Sequence, residues 1–129
     1  VIDRRAAGVS PYEARYGFSR AVRVGNQVLV SGTAPIEDDG SSTPGNAAAQ
    51  ARRCFALILK VVEDLGGSVG DVVRTRMFIT DPADADEIGA VHGEVFRDVR
   101  PAATMVVVKA LLRDEWRVEI EAEALVGHE

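Results

Sequence analysis

Arg100-Pro101-Ala102-Ala103-Thr104-Met105-Val106-Val107-Val108 and, shortly after, Val118-Glu119-Ile120-Glu121-Ala122 decide how this chain reads. Val and Ile are stiff at χ1 and pack well on a pleated surface, so both stretches are strands, joined by a short polar turn. Met105 and Val107 alternate with Val106 and Val108, which puts apolar side chains on both faces of the first strand. A strand that is apolar on both faces needs cover on both. With helices on one side of the sheet, a second copy of the chain must supply the other cover, so the pattern predicts an oligomer. In the second strand Glu119, Glu121 and Glu123 fall on one face, about 6.5–7 Å apart from one to the next.

Upstream of these strands the signals are regular. Asp81-Pro82-Ala83-Asp84 starts a helix: a capping carboxylate, Pro in the first turn and an acid at the positive helix end. Ile88, Val91, Val95, Phe96 and Val99 give it a buried stripe, and Pro101 halts it. The β-branched run from Asp71 to Thr80 is a strand. Before it, Asn46 caps a longer helix whose stripe is Ala51, Phe55, Ile58, Leu59, Val62 and Leu65, and Gly66-Gly67 ends it. Residues 36–46 form a surface loop rich in Asp, Ser, Gly and Pro. Residues 20–24 and 27–31 flank Gly25-Asn26 as a hairpin. Residues 1–18 read as an irregular arm. The order is β-β-α-β-α-β-β, with a short extra strand near 33–37: a single α+β domain over 1–129, its mixed sheet carrying both helices on one face.

Composition narrows the function classes. With 129 residues, 47% hydrophobic and 27% charged, the chain builds a core without metal or disulfide staples. A formal charge of −5 argues against a nucleic-acid partner, because such binding needs a basic surface. No apolar run is long enough to span a membrane, and a cytoplasmic location is expected. Cys54, the only cysteine, lies on the apolar side of the long helix and reads as a buried structural thiol. The two histidines, His92 and His128, form no metal-binding pair, so no metal or cofactor is expected. His92 borders the apolar stripe of its helix, and His128 in the tail carries no assigned role. No glycine-rich phosphate loop and no Ser-His-Asp arrangement is present to argue other chemistry.

Several segments, in order along nearly the whole chain, resemble the RidA family, also called YjgF or L-PSP endoribonuclease-like. Gly17-Phe18-Ser19-Arg20-Ala21-Val22 is similar to its G-P-Y-S-x-A-V opening, and Val30-Ser31-Gly32-Thr33-Ala34-Pro35-Ile36 to its S-G-Q-I-P segment. Ala49-Gln50-Ala51 resembles the start of its long helix, and residues 70–79 its D-V-V-K-T-x-V-F strand. Pro101-Ala102-Ala103-Thr104 falls on P-A-R-[ST], and Val118-Glu119-Ile120-Glu121-Ala122 on V/I-E-I-E-A. The resemblance implies a chorismate-mutase-like fold and a homotrimer with a small-molecule cleft between adjacent subunits. For the best-known branch it implies cofactor-free hydrolysis of 2-imino or enamine acids to 2-oxo acids and ammonia.

Carried across residue by residue, the resemblance makes Glu119 the group that positions or activates water. Ser31, Gly32 and Thr104 are retained at the cleft wall. Four ligand positions are altered. Phe18 keeps a ring and loses the family's tyrosine hydroxyl, Gly89 falls on an Asn, and His92 falls near a Tyr. Ala103 stands where the family's Arg pairs with the substrate carboxylate. Losing such a bidentate, desolvated contact costs about 2–5 kcal/mol. The implied activity is therefore imine or enamine hydrolysis at Glu119, but not the usual 2-imino acid deamination. The competing expectation is a non-catalytic ligand-binding or interaction trimer. The endoribonuclease activity in the family's name ranks below both. Arg15, Arg20 or Arg23 would restore a cation if one reached the cleft. Without the resemblance, the three glutamates read as a solvated edge or as ion-pair partners of Arg74, Arg76 or Arg117.

Overall fold

The computed structural model describes residues 1–127 of the chain; His128, which carries no assigned role, lies outside them. Six strands form one mixed sheet: β1 (Arg4–Ala6), β2 (Ala21–Val24), β3 (Gln27–Thr33), β4 (Val72–Ile79), β5 (Ala102–Val107) and β6 (Val118–Leu125). Their order across the sheet is β1-β2-β3-β6-β4-β5, antiparallel except for the parallel pair β4 and β5. Three α-helices complete the fold: α1 (Tyr12–Tyr16), α2 (Ala47–Asp64) and α3 (Ala85–Val95).

The hairpin β2–β3 turns at Gly25, whose φ of 60° suits glycine, and Asp3 accepts from its N–H at 2.6 Å. Asn46 caps α2 by accepting from the Ala49 N–H at 2.9 Å. At the far end Gly66, at φ 95°, reverses the chain while the Gly66 and Gly67 N–H groups take up the carbonyls of Glu63 and Val62. Asp81 accepts from the Ala83 N–H, but the turn it opens, 82–84, is 3₁₀ and α3 begins only at Ala85. Buried residues of α2 and α3 (Phe55, Ile58, Val62, Ile88, Val91) join Val28, Ile79, Val118 and Ile120 of the sheet in one core. Both helices therefore cover the same face, as the one-sided apolar stripes require. A smaller cluster of Ala34, Ile36 and Trp116 lies at one end of the sheet. No helix among the described residues is long and apolar enough to cross a membrane.

Three expectations need correction. The arm of residues 1–18 is not irregular: β1 pairs with β2, and α1 follows Pro11. Three-residue β1 is too short to show a period, and α1 buries no residue fully, so neither leaves an apolar pattern to read. The extra strand near 33–37 is absent. Thr33 ends β3, and beyond it only a single bridge, Ile36 to Ser42, forms across the loop. β5 and β6 are not joined by a short turn. Residues 108–117 carry the chain past β4, and β6 inserts between β3 and β4. The segment is polar at Arg113, Asp114 and Glu115, but Trp116 anchors it in the smaller core.

Candidate functional site

The row of glutamates on β6 is divided by its partners. Arg76, from the adjacent β4, sits 3.1 Å from Glu121 and 3.4 Å from Glu123. Glu119 has no basic partner at ion-pair distance among the described residues. It faces Gly32 at the β-bulge where β3 shifts register between Val30 and Thr33. A bulge turns the backbone outward locally, and glycine there lets the carboxylate lie directly against it. The surrounding pocket, about 90 Å³, includes Tyr12, Phe18, Arg20, Leu112 and Trp116 besides Glu119 and Gly32. Removal from water pushes the Glu119 carboxyl above the usual carboxylate range; Arg20 opposes the shift and Glu121 adds to it. A half-buried acid of raised pKa with room beside it is suited to take a proton.

Phe18 lines this pocket and a neighbouring depression that also holds Ser31. The Ser31 hydroxyl donates to the Ser19 carbonyl at 2.7 Å, so within this chain it braces the segment before β2 that presents Phe18. Of the three arginines near the opening, Arg20 reaches Glu119's pocket, with its guanidinium 5.8 Å from the Phe18 ring centre. Arg23 donates instead to the carbonyls of Gly25 and Leu65, and Arg15 stacks on Tyr12 and Tyr16. Arg74, on β4, has no ion pair among the described residues, and Arg117 holds Asp84 through two bonds of 2.9 and 2.8 Å.

The remaining candidates lie elsewhere. Ala103 is level with Thr75 in the parallel ladder, and Thr75 is level with Ala122. Neighbours across a ladder share a face. Thr75 and Ala122 are buried under the helices, so Ala103 is on the helix side. Glu119 is level with Phe78 and stands on the opposite side, the face the helices leave bare. Next to Ala103's position, His92 Nε2 lies 2.8 Å from Thr75 Oγ1 and its ring packs on Phe55 and Phe96. Burial moves the His92 pKa below its usual value, favouring the neutral ring. Gly89 faces the Met105 side chain. Thr104, level with Arg76, is on the bare face beside Glu121. The candidate residues of one chain thus fall into two groups, Phe18 with Gly32 and Glu119, and Gly89 with His92 and Ala103, on opposite faces of its sheet.

Several residues in this region went unread in the sequence. Trp116 and Tyr12 wall the Glu119 pocket, and the lone tryptophan was the available signal. Arg97 and Arg100 border a shallow depression with His92, and Arg100 is held at φ 54°. Cys54 is fully buried and its thiol pKa is raised by that burial, as expected of a structural cysteine. Among the described residues no cluster of His, Cys, Asp and Glu is arranged to hold a metal.

Comparison with known proteins places this architecture. The sequence profile of the endoribonuclease L-PSP family matches residues 9–126. The chain is 32% identical over 126 residues to the 2-iminobutanoate/2-iminopropanoate deaminase of Escherichia coli, spanning 95% of this chain and 93% of that one. The crystal structure of Rv2704 from Mycobacterium tuberculosis superposes with a TM-score of 0.86 at 38% identity, covering 95% of this chain and 98% of the other. That of E. coli TdcF with bound serine gives 0.79 at 30% identity, with 97% of each chain covered. With the profile matched along almost the entire described chain and the mixed sheet shared with solved members, this chain belongs to the endoribonuclease L-PSP family, known also as RidA or YjgF.

Proposed function

We propose that the protein binds a small metabolite in a cleft between copies of the chain and hydrolyses an imine or enamine without a cofactor, Glu119 activating the water. The observation that carries this reading is the position of Glu119, set apart from the Arg76 ion pairs, against Gly32, with its pKa raised by burial. The division of candidates between two faces supports a shared cleft: a pocket that combines Glu119 with Ala103 and His92 needs a second copy. Exposed Val106 and Leu29 on the bare face supply apolar surface for that contact.

In this mechanism the Glu119 carboxylate takes a proton from water as the oxygen attacks the carbon of C=N. The electron pair of the double bond moves to nitrogen, which recovers that proton from Glu119 and gives a neutral carbinolamine, leaving the carboxylate ionised again. Glu119 then takes the carbinolamine hydroxyl proton and passes it to the amino group as C=O forms and the C–N bond breaks. Ammonia leaves and Glu119 is again ionised. An enamine enters the same path after protonation at carbon. The E. coli relative's name, an imine deaminase, supports the reaction class. Ala103 offers no charge to a substrate carboxylate, and Arg20, which borders the Glu119 pocket, turns its Nη2 to the Gly32 carbonyl, so the favoured substrate is an imine whose reacting carbon carries no adjacent acid group.

Ammonia release from freshly generated imines, with and without the acid group, tests the proposal. Turnover above buffer that favours the uncharged imine is the expected result, and none above buffer overturns it. The second reading, a non-catalytic binding trimer, is favoured by the loss of polar groups at Phe18, Gly89 and Ala103. Under it, Glu119→Gln leaves ligand binding intact and there is no turnover to lose. Ribonuclease action is disfavoured by the acidic charge, and an RNA gel shift checks it.

A further inference from the structure

We infer that a second small-molecule site lies between residues 7–10 and the outer side of α2, and that it takes a short aliphatic carboxylate whose acid group pairs with Arg20. The cavity there has a volume of about 250 Å³, and its walls include Val9, Ala34, Ile36, Leu57 and Val61. For scale, an apolar cavity of roughly 150 Å³ accepts benzene. The lining is chiefly apolar, yet Arg20, only 8% exposed, forms part of it.

That arginine is poorly compensated. One Nη2 donates to the Gly32 carbonyl, its buried Nε has no partner, and among the described residues no carboxylate pairs with it directly. Glu13 and Glu119 act on it only from farther away, and burial pulls its pKa down. A buried cation without a contacting anion is costly, and a carboxylate in the adjoining cavity would offset that cost. Two of the other charges near the cavity are already engaged, Lys60 with Asp64 at 2.9 Å and Asp38 with Arg53 at 3.1 Å. Glu13 gives one oxygen to the Gly8 N–H at 3.0 Å while its buried Oε2 has no partner, so it lies near Arg20 without bonding it. Arg20 is left as the group that chooses the ligand head, and the apolar walls choose its tail. This site is independent of the imine chemistry, although Arg20 also borders the Glu119 pocket.

The test compares hexanoate, hexan-1-ol and hexylamine by calorimetry and by amide shifts in the full chain. Hexanoate is expected to bind at least tenfold more tightly than the other two and to move the amides of Gly8, Val9, Leu57 and Val61. Leu57→Trp, which fills the cavity from α2, and Arg20→Gln should each weaken hexanoate tenfold or more. Glu119→Gln should retain binding, which separates this site from the proposed catalytic one. Should Arg20→Gln fail to fold, Leu57→Trp still decides. No hexanoate binding at millimolar concentration, equal binding of the alcohol or amine, or shifts confined to Phe18, Gly32 and Trp116 overturns the inference.

Discussion

Glu119 and Gly32 form a pair in which each limits the other. A side chain at position 32 would collide with the carboxylate, so Gly32→Ala should displace Glu119 and lower any turnover while leaving the fold intact. Circular dichroism and ammonia release on the same sample check both halves of that statement. Glu119→Gln keeps the shape and removes the base, with an expected loss on the order of 10²–10⁴-fold in rate. The raised pKa also has a thermodynamic sign. A carboxyl whose pKa is higher folded than unfolded binds protons more readily in the folded state, so stability falls as pH rises through that window. Gln mimics the protonated acid. Glu119→Gln should therefore melt at or above the wild type at neutral pH, and the difference should shrink as pH falls below the unfolded carboxylate value. A variant markedly less stable at neutral pH would mean that the charge of Glu119 serves structure.

Capping and strand chemistry decided which elements could be read in advance. The hairpin at Gly25-Asn26, the Asn46 cap and the Gly66 terminus rest on local rules, and all three stand in the structure. Asn46→Ala should cost about 1 kcal/mol, measured by denaturant melts. Asp84 stands at the start of α3, as its place after Asp81-Pro82 suggested, and its side chain also accepts from Arg117 in the lead-in to β6, tying the α3 entrance to the sheet. Its side chain is buried while that of Arg117 is 42% exposed, so solvent softens the loss when the pair is broken. Asp84→Ala should cost roughly 1–3 kcal/mol. These long-range partners were not legible, because no periodicity says which strand a given arginine will face. The same holds for Glu121 and Glu123: their shared face was clear from spacing, but their assignment to Arg76 depends on β6 lying beside β4. The connection over 108–117 was misread because polar residues suggested a turn, whereas the crossing requires length and Trp116 fixes it.

Across the whole molecule, the faces of the sheet matter more than any single residue. The family resemblance named Phe18, Ser31, Gly32, Gly89, His92, Ala103, Thr104 and Glu119 together, but sequence spacing could not show that they fall on two sides of one sheet. That division is what makes self-association the natural requirement of the proposed site. Edge strand β5 exposes Val106 and Val107, and an uncovered apolar edge invites pairing or packing. Sedimentation should give a trimer for the wild type, and Val106→Lys should shift it toward monomer with loss of turnover. The most direct measurement of the account is the pH profile of ammonia release from an imine lacking an acid group, run on wild type and Glu119→Gln. The account predicts wild-type turnover above buffer that rises as Glu119 ionises, at a pH above the ordinary carboxylate range, and a variant reduced at least a hundredfold. A wild type no faster than buffer, or a variant that keeps both rate and profile, would contradict it.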